Sequence, residues 1–261
     1  MSSEDLQNFR IFDSAAVVGG YAARAGLFPS ERVLFGEFLR AGTRVLDLGV
    51  GTGRTTPDLR ALASRYVALD YSPQMIAALR EAFPGVEAVV ADASDLSSFE
   101  DGSFDAVVFS FNGIDYLHPE AKRQRCLDEM ARVLATGGVA ILSSHNARAV
   151  VRRPGPAGDG ETPRARARRI GIAVYASVPL VVRTLPTGSF RRGHGFRLDA
   201  PRRLVTFTTV PAHMRRSAER AGLAHRRTVP AEHPRSGRSL STPWYYYVFA
   251  KPAPPEPRTR P

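Results

Sequence analysis

The segment from 47 to 53, Asp-Leu-Gly-Val-Gly-Thr-Gly, has the composition of a loop that binds a nucleotide-like cofactor. Gly49, Gly51 and Gly53 carry no Cβ, so the backbone can turn sharply and a ligand can lie directly on it. A dinucleotide fingerprint, Gly-x-Gly-x-x-Gly, would require a third glycine at position 54, which is Arg54. The spacing Gly-x-Gly-x-Gly therefore indicates a cofactor loop of another type.

Two aspartates follow the next two predicted strands. Asp70 closes the second strand, where its carboxylate can accept hydrogen bonds from both ribose hydroxyls, each contributing about 1.5 to 3 kcal/mol. Asp92 follows the third strand, where the carboxylate suits the exocyclic amine of adenine and the N–H of Ala93 suits a ring nitrogen. The alternatives are a cap of the next helix for Asp70 and a plain turn residue for Asp92.

Two further side chains are placed to cover a face of the adenine, Tyr71 and Met75. Met75 also has the helical spacing of a core residue, and both interpretations stay open. Together with the two aspartates, these residues form a set that suits a bound adenosine.

Strand and helix patterns alternate along most of the chain. The predicted strands cover 44–49, 66–70, 86–90, 104–111, 138–144, 225–229 and 244–250, and the predicted helices 31–40, 54–64, 73–83, 121–134 and 211–221. Right-handed crossovers then give an α/β fold with a doubly wound, mostly parallel seven-stranded sheet and helices on both faces. Ligands of such sheets bind beyond the carboxyl ends of the strands.

The regular pattern is interrupted at about residue 147. The predicted organisation is a loosely helical lead-in and the cofactor-binding half of the domain (1–146), an inserted lid between strands 5 and 6 (147–205), the remainder of the domain (206–251) and a proline-rich disordered tail (252–261). Within the insertion, residues 148–169 are rich in Arg, Pro and Gly and predict a mobile loop, 170–185 a short buried or lid helix, and 196–209 one or two added strands.

The charge is divided unevenly along the 261 residues. The net charge is +11, yet residues 1–146 carry 13 basic and 19 acidic side chains, and 147–261 carry 23 and 6. Nearly all of the positive charge is arginine, since Lys122 and Lys251 are the only lysines. Two explanations fit this distribution. The arginines form either a solvated surface shaped by codon usage or a basic face that meets an anionic partner.

Composition also limits the kind of protein. Cys126, the single cysteine, excludes an intramolecular disulfide and a cysteine-based zinc cluster, and it fits a buried inert thiol in a reducing cytoplasm. No metal site is expected. The chain shows no signal-peptide pattern at its N-terminus and no apolar run of spanning length, so we expect a cytoplasmic protein without a membrane partner.

These motifs resemble the class I S-adenosylmethionine-dependent methyltransferases, in particular the small-molecule branch. The resemblance covers residues 30–146 closely and 205–251 more loosely. The segment 47–53, which includes Asp47, is similar to the first motif of the family, whose glycines lie under the methionine part of S-adenosylmethionine. Leu69-Asp70 is similar to the ribose-binding acidic position and 91–93 to the adenine-binding turn.

The same resemblance extends to the last strands. The segment 103–110 is similar to the fourth strand of the family, which implies that the carbonyl of Ser110 faces the amino group of the cofactor. The strand 244–250 is similar to the seventh strand, which runs antiparallel to the others. S-adenosylmethionine is accordingly the expected cofactor.

The chemistry implied is an in-line displacement of an activated methyl group, so positioning is the main task of the protein. A general base is needed only if the acceptor arrives protonated. His145 is the first candidate for that base, because its unperturbed pKa lies near working pH, and a hydrogen-bonded strand terminus is its alternative role. Asp115 is expected to orient a base or bind a substrate amine, and Tyr116 and Tyr21 to close over the cofactor.

Three functions remain in competition. The favoured one is an O-, N- or C-methyltransferase of small molecules, with secondary metabolism as its expected setting, whose hydrophobic pocket is shaped by 170–185 and the aromatic strand 244–247. An RNA methyltransferase could grip phosphates with 148–169, but Asn112-Gly-Ile-Asp115 differs from the Asn/Asp-Pro-Pro-aromatic element of nucleic-acid amino-methylating enzymes, so nucleic acid is disfavoured as a partner. The third is a protein that binds the cofactor without transferring its methyl group. The oligomeric state, a homodimer included, stays open.

Overall fold

The computed structural model describes residues 2–151, 154, 162–199, 203–232, 234 and 239–253. The strands in the described residues are β1 Thr43–Leu48, β2 Ala63–Asp70, β3 Glu87–Val90, β4 Phe104–Phe109, β5 Leu134–His145, β6 His194–Asp199, β7 Leu204–Thr209, β8 Ala224–Pro230 and β9 Trp244–Ala250. The α-helices there are α1 Ser3–Phe12, α2 Ala15–Ala22, α3 Pro29–Phe38, α4 Thr56–Leu62, α5 Pro73–Ala82, α6 Glu120–Val133, α7 Pro163–Thr184, α8 Gly188–Arg192 and α9 Pro211–Arg220.

Seven of these strands form one sheet in the order β3-β2-β1-β4-β5-β9-β8. The pairs among β1 to β5 are parallel, and β9 runs antiparallel to both of its neighbours. The predicted fold class, a doubly wound and mostly parallel seven-stranded sheet, is therefore confirmed. The strand order switches direction at β1, because β2 lies on one side of β1 and β4 on the other. A crevice opens at such a topological switch point.

Both faces of the sheet are covered, and each face has its own hydrophobic core. Cys126 and Met130 of α6 and Met214 of α9 belong to one core, and Leu34 of α3 and Ile76 of α5 belong to the other. Burial raises the pKa of the Cys126 thiol, so the thiol stays protonated and inert, as the sequence predicts.

The N-terminal helix α1 is fastened across one end of the domain by a buried amide. Asn8 is fully buried, and its Nδ2 donates to the carbonyls of Tyr116 at 3.1 Å and Val205 at 2.8 Å. Its Oδ1 accepts from the N–H of Val205 at 2.9 Å. The predicted lead-in is thus joined both to the loop that follows β4 and to β7.

The insertion differs from its prediction in two respects. Residues 163–169 belong to α7, whose N-cap Thr162 accepts from the N–H of Ala165, and the rest of the predicted loop lies largely outside the described residues. The helix predicted over 170–185 is neither short nor buried, since α7 has 22 residues and few of them are covered. Arginine has a high helix propensity, so the helix begins well before the apolar segment. Among the described residues, no helix has both the length and the hydropathy needed to cross a bilayer.

The remainder of the insertion is a small sheet. β6 and β7 pair antiparallel, which agrees with the one or two strands expected over 196–209. The predicted boundary at 205 falls inside β7, because Thr206 and Thr208 continue the pairing to Thr209. Of the predicted tail, residues 254–261 lie outside the described part of the chain.

Replacement of Gly53 by alanine should destabilise the fold. Its φ is +95°, and a Cβ there would lie 2.6 Å from side-chain atoms of both Leu79 and Phe83. Strain and overpacking should lower the free energy of unfolding by about 1 to 3 kcal/mol, measured by urea denaturation. Gly36→Ala is the matched control, because Gly36 is a helical glycine of α3 with open space around it. The control should gain about 0.5 to 1 kcal/mol, and equal stability of the two variants would contradict this packing.

Candidate active site

A cavity opens at the carboxyl ends of β1, β2 and β4, where the chain reverses direction. Most of the sequence-predicted cofactor residues line this cavity, namely Asp47, Gly49, Gly51, Asp70, Tyr71, Met75, Asp92, Ala93 and Ser110. Tyr116 and Tyr21 also line it, as expected. Gly53 is the exception. Its missing Cβ makes room for Leu79 and Phe83, so Gly53 packs the loop onto α5 and does not face the cavity.

The loop after β1 requires glycine at the two positions that line the cavity. Gly49 and Gly51 both have φ of +57°, a region that favours glycine. A Cβ on Gly49 would lie 2.6 Å from the ring of Phe109, and one on Gly51 would lie 3.6 Å from Tyr21 and 3.9 Å from Met75. A ligand and the aromatic side chains can therefore approach this backbone closely.

Asp47 supports the loop from below. It is buried, and its Oδ2 accepts from the hydroxyl of Thr55 at 2.7 Å and from that of Tyr66 at 2.8 Å. Burial raises the pKa of Asp47 to about 6, against the effect of these bonds. The carboxylate thus joins the end of β1 to the start of α4 and to β2.

Asp70 connects the glycine loop to the helix that follows β2. Its Oδ2 accepts from the N–H of Gly51 and its Oδ1 from the N–H of Ser72, both at 2.9 Å. Burial raises its pKa to about 6. Each carboxylate oxygen has a second lone pair, so the contact with α5 leaves acceptor capacity toward the cavity. The two interpretations offered for Asp70 are therefore compatible, and ribose binding remains a prediction.

Asp92 makes contacts that its sequence position does not reveal. Lys122 Nζ lies 2.6 Å from its Oδ2 and 2.5 Å from Asp5 of α1, and Ser94 donates its N–H and hydroxyl to Oδ1. Burial opposes ionisation, but the bonds from Lys122 and Ser94 hold the pKa of Asp92 below its usual value. The carboxylate therefore helps to hold α1 in place, and a contact with adenine would use the lone pairs that remain.

Two buried hydroxyls on the cavity wall have no hydrogen-bond partner within the described part of the chain, those of Tyr71 and Ser110. An unsatisfied buried hydroxyl costs about 1 to 3 kcal/mol, so a polar ligand in the cavity would be stabilised by bonding to them. With the glycine backbone and the Asp70 carboxylate close by, the wall offers both donors and acceptors. This arrangement fits the adenosine and amino-acid parts of S-adenosylmethionine.

The buried Asp115 and the half-buried His145 form a pair beside the cavity. Asp115 Oδ2 lies 2.8 Å from His145 Nδ1 and accepts from its backbone N–H at 2.6 Å, and Oδ1 accepts from Ser144 Oγ at 2.5 Å. Arg123 Nη2 lies 3.5 Å from Oδ1. Asp115 is fully buried and surrounded by donors, so its carboxylate is positioned to orient His145, and its burial disfavours a contact with a substrate amine.

The carboxylate also sets the tautomer of the histidine. Nδ1 carries the proton that Asp115 accepts, so Nε2 keeps its lone pair. Asn112 Nδ2 lies 3.4 Å from Nε2. The His145 side chain is 24% exposed, but it is not part of the cavity wall: Tyr116 lines the cavity and packs edge-on against His145, with 6.3 Å between ring centroids. The pair thus lies one side chain behind the wall.

The backbone after β4 is strained where it meets the cavity. Phe111 and Asn112 have φ of +55° and +65°, which non-glycine residues rarely adopt. Ser143 Oγ holds this turn by accepting from the N–H of Asn112 at 2.7 Å. The ring of Phe111 lies on the cavity wall. The dipeptide Asn112-Gly113 is the sequence signal for a turn here, and the positive φ of Phe111 has none.

Arg54 stands where a dinucleotide-binding fingerprint would have its third glycine. In the structure, Arg54 stabilises the fold. Its guanidinium pairs with the fully buried Glu31 at 2.5 Å and lies over the ring of Phe28. Glu31 also accepts from the Tyr246 hydroxyl at 2.6 Å. Tyr246 and Tyr247 of the aromatic strand β9 are fully buried in the two cores, so the strand holds the sheet together and does not shape the pocket as expected.

Among the described residues, three side chains of the kinds that bind metals lie close together, away from the cavity. They are Glu120, His194 and His213. The rings of His194 and His213 are stacked, with 3.8 Å between centroids and 10° between planes. A metal lies in the plane of each histidine that binds it, and two nearly parallel rings cannot both point at one ion. As arranged, the stack joins β6 to α9 and is not a coordination site.

Residues 45–138 match the family model described as a methyltransferase domain. A demethylmenaquinone methyltransferase of Clavibacter sepedonicus is 42% identical over 105 residues, which are 39% of this chain and 41% of that protein. The chain thus spans about two fifths of the length of this curated relative. The region that matches the family model runs from Val45 in β1 to Gly138 in β5.

Solved structures match over nearly the whole chain at low identity. The Burkholderia thailandensis 1,6-didemethyltoxoflavin-N1-methyltransferase, solved with S-adenosylhomocysteine, has a TM-score of 0.61 at 15% identity and covers 97% of this chain and 92% of its own. The cyclase SpnF has a TM-score of 0.62 at 14% identity and covers 97% and 98%. These similarities establish the fold. The family match over residues 45–138, to a methyltransferase domain, bears out the resemblance to the class I S-adenosylmethionine-dependent methyltransferases.

Proposed function

We propose that this protein transfers a methyl group from S-adenosylmethionine to an oxygen, nitrogen or carbon atom of a small-molecule acceptor. The observation that carries the proposal is the cavity at the ends of β1, β2 and β4, where Gly49, Gly51 and Asp70 lie together with unpartnered hydroxyls. The family match supports the same cofactor.

In this proposal each wall residue binds one part of the cofactor. The backbone at Gly49 and Gly51 lies under the methionine part, Asp70 accepts from the ribose hydroxyls, and Ala93 donates to the adenine ring. Met75, which is almost fully buried, and Tyr71 cover the adenine. When bound, S-adenosylmethionine supplies a methyl group activated by a positive sulfonium, so these residues need only hold it in line with the acceptor.

His145 is proposed as the general base for acceptors that arrive protonated. Its Nε2 keeps a lone pair because Nδ1 donates to Asp115. When Nε2 takes the proton of the acceptor, the buried carboxylate of Asp115 stabilises the imidazolium without itself being protonated. The acceptor, or a water bound to it, would reach Nε2 past Tyr116 and Asn112.

The acceptor is proposed to be a flat, largely apolar molecule. The wall of the cavity is rich in aromatic rings, those of Phe12, Tyr21, Phe111 and Tyr116. Such rings favour stacking against a planar ligand. The Clavibacter relative, by its name, acts on demethylmenaquinone, and the Burkholderia neighbour on 1,6-didemethyltoxoflavin, which supports this class of acceptor.

A second function, binding of the cofactor without methyl transfer, is favoured by two observations. His145 lies behind Tyr116 and not on the wall, and the neighbour SpnF is a cyclase by name. A shared fold does not establish a shared reaction. Formation of S-adenosylhomocysteine with a panel of phenols, quinols and aromatic amines decides between the two, because a binder would form none with any acceptor.

Asp70→Asn should weaken binding of S-adenosylmethionine. Asparagine keeps the shape of the side chain but removes its charge and replaces one acceptor oxygen by a donor, so the charge-assisted bonds to the ribose are lost together with one of the bonds to Gly51 or Ser72. We expect Kd, measured by calorimetry, to rise by about tenfold or more. Asp95→Asn is the matched control, because Asp95 is an exposed aspartate that accepts from the N–H of Ser97. Unchanged affinity of the Asp70 variant would refute the ribose assignment.

Affinity for the cofactor should rise with pH across the titration of Asp70. Burial raises the pKa of this carboxyl to about 6 in the free protein. Ribose hydroxyls donate to the ionised form and would lower that pKa, so binding releases a proton and strengthens as pH increases from about 5 to about 7. Calorimetry in this range should show the slope in the native protein and a reduced slope in Asp70→Asn. An equal slope in both would assign it to another group.

His145→Gln should reduce turnover by about a hundredfold with a protonated acceptor, within the usual range for a general base. Affinity for S-adenosylmethionine should stay the same, because His145 does not line the cavity. Asp115→Asn should reduce turnover as well, since it removes the charge that stabilises the imidazolium. His225→Gln serves as the control, because His225 lies on β8 and bonds to Thr228. Normal turnover of the His145 variant would remove this residue from the mechanism.

A further inference from the structure

Helix α7 carries an apolar stripe that faces solvent. The stripe consists of side chains that recur at helical spacing and are 43, 62, 55, 67 and 42% exposed, namely Ile170, Val174, Val178, Val182 and Leu185. At 3.6 residues per turn they fall within an arc of about 120°. Tyr175, 82% exposed, borders the arc. A helix face of this width and regularity is the kind that proteins normally bury.

Within the part of the chain that the structure describes, nothing covers the stripe. The buried residues of α7 are Ala173, Ser177 and Thr184, which lie on a different, narrow face of the helix. The fully covered side chains of the helix are therefore small, Leu180 and Val181 are half-buried, and most of its other large apolar side chains are exposed. Among the described residues, twelve large apolar side chains are exposed, and seven of them lie between 170 and 185. A concentration of this kind marks a surface that contacts something else.

The charge around the stripe is of one sign. Residues 163–192 contain seven arginines and no acidic residue, and the arginines are at 164, 166, 168, 169, 183, 191 and 192. The first four precede the stripe directly, and the last three follow or flank its end. The partner of this surface must therefore match an apolar stripe and a set of positive charges together.

We propose that α7 lies in the interface of a lipid bilayer that contains anionic lipids. Acyl chains would take up the side chains of the stripe, and anionic headgroups would pair with the neighbouring arginines. A second copy of the chain fits less well, because it would bring two arginine-rich helices against each other. Nucleic acid would match the charge and leave the stripe in water. A helix in the plane of the interface does not need the length of a spanning segment.

Sedimentation of the full chain with vesicles tests the proposal. The protein should sediment with vesicles of phosphatidylcholine and phosphatidylglycerol, should bind vesicles of phosphatidylcholine alone much more weakly, and should release as salt is raised. Absence of binding to the anionic vesicles would overturn the proposal. Binding of S-adenosylmethionine should be normal in every variant, so failure here is distinct from failure of the proposed methyl transfer.

The double variant Val174→Glu/Val178→Glu tests the contribution of the apolar stripe to vesicle binding, because it leaves every arginine in place. The two glutamates remove apolar area that the acyl chains would cover and add charges that repel anionic headgroups, so vesicle affinity should fall by at least about tenfold. Val33→Glu is the matched control, since Val33 is a similarly exposed valine on α3 and its replacement should leave vesicle binding unchanged. Both sites are exposed, so melting temperatures should stay close to that of the native protein.

Two results would assign the surface to another partner. If Val174→Glu/Val178→Glu leaves vesicle binding unchanged, the arginines alone bind the vesicles. That result would overturn the proposal that α7 lies in the bilayer interface. A dimer that light scattering detects in the native chain, and that the same double variant dissociates, would show that a second copy covers the stripe.

Discussion

The carboxylate of Asp70 is the interaction on which the cofactor site depends. It accepts from the N–H of Gly51 in the loop after β1 and from the N–H of Ser72 at the start of α5. These two bonds hold the two loops that border the crevice at fixed positions relative to one another. Burial of the carboxylate charge is unfavourable and raises the pKa of Asp70. A ligand that donates hydrogen bonds to the carboxylate would reduce this desolvation cost.

A second buried carboxylate organises the opposite side of the crevice. Asp115 gathers donors from the end of β5 and from α6, and Arg123 of α6 stacks on Phe207 of β7, with 3.8 Å between its Cζ and the ring centroid. The orientation of His145 therefore depends on contacts with the insertion as well as on the central sheet. Through Asn8, α1 joins the same region, so α1, the insertion and the Asp115–His145 pair are connected by direct contacts.

Much of the fold follows from local pattern. The strands are apolar runs between turn residues, and the sequence predicts all seven of the main sheet, with β5 beginning at Leu134 and not at 138. The cap at Ser72 and the glycine positions follow from residue chemistry that acts within a few bonds. Helix α7 was predicted poorly, because an apolar segment within a helix does not indicate whether the protein or something outside it covers that segment.

Local residue patterns are enough to predict the sheet, the glycine loop and the acidic residues at the ends of β1, β2 and β3, because parallel strands bring their carboxyl ends to one edge. Which residues face the cavity depends on how the elements pack. Gly53 turned toward α5, Lys122 reached Asp92 from a distant helix, and Tyr116 came to lie in front of His145. Such contacts join residues far apart in the chain, and their geometry depends on packing that no local pattern encodes.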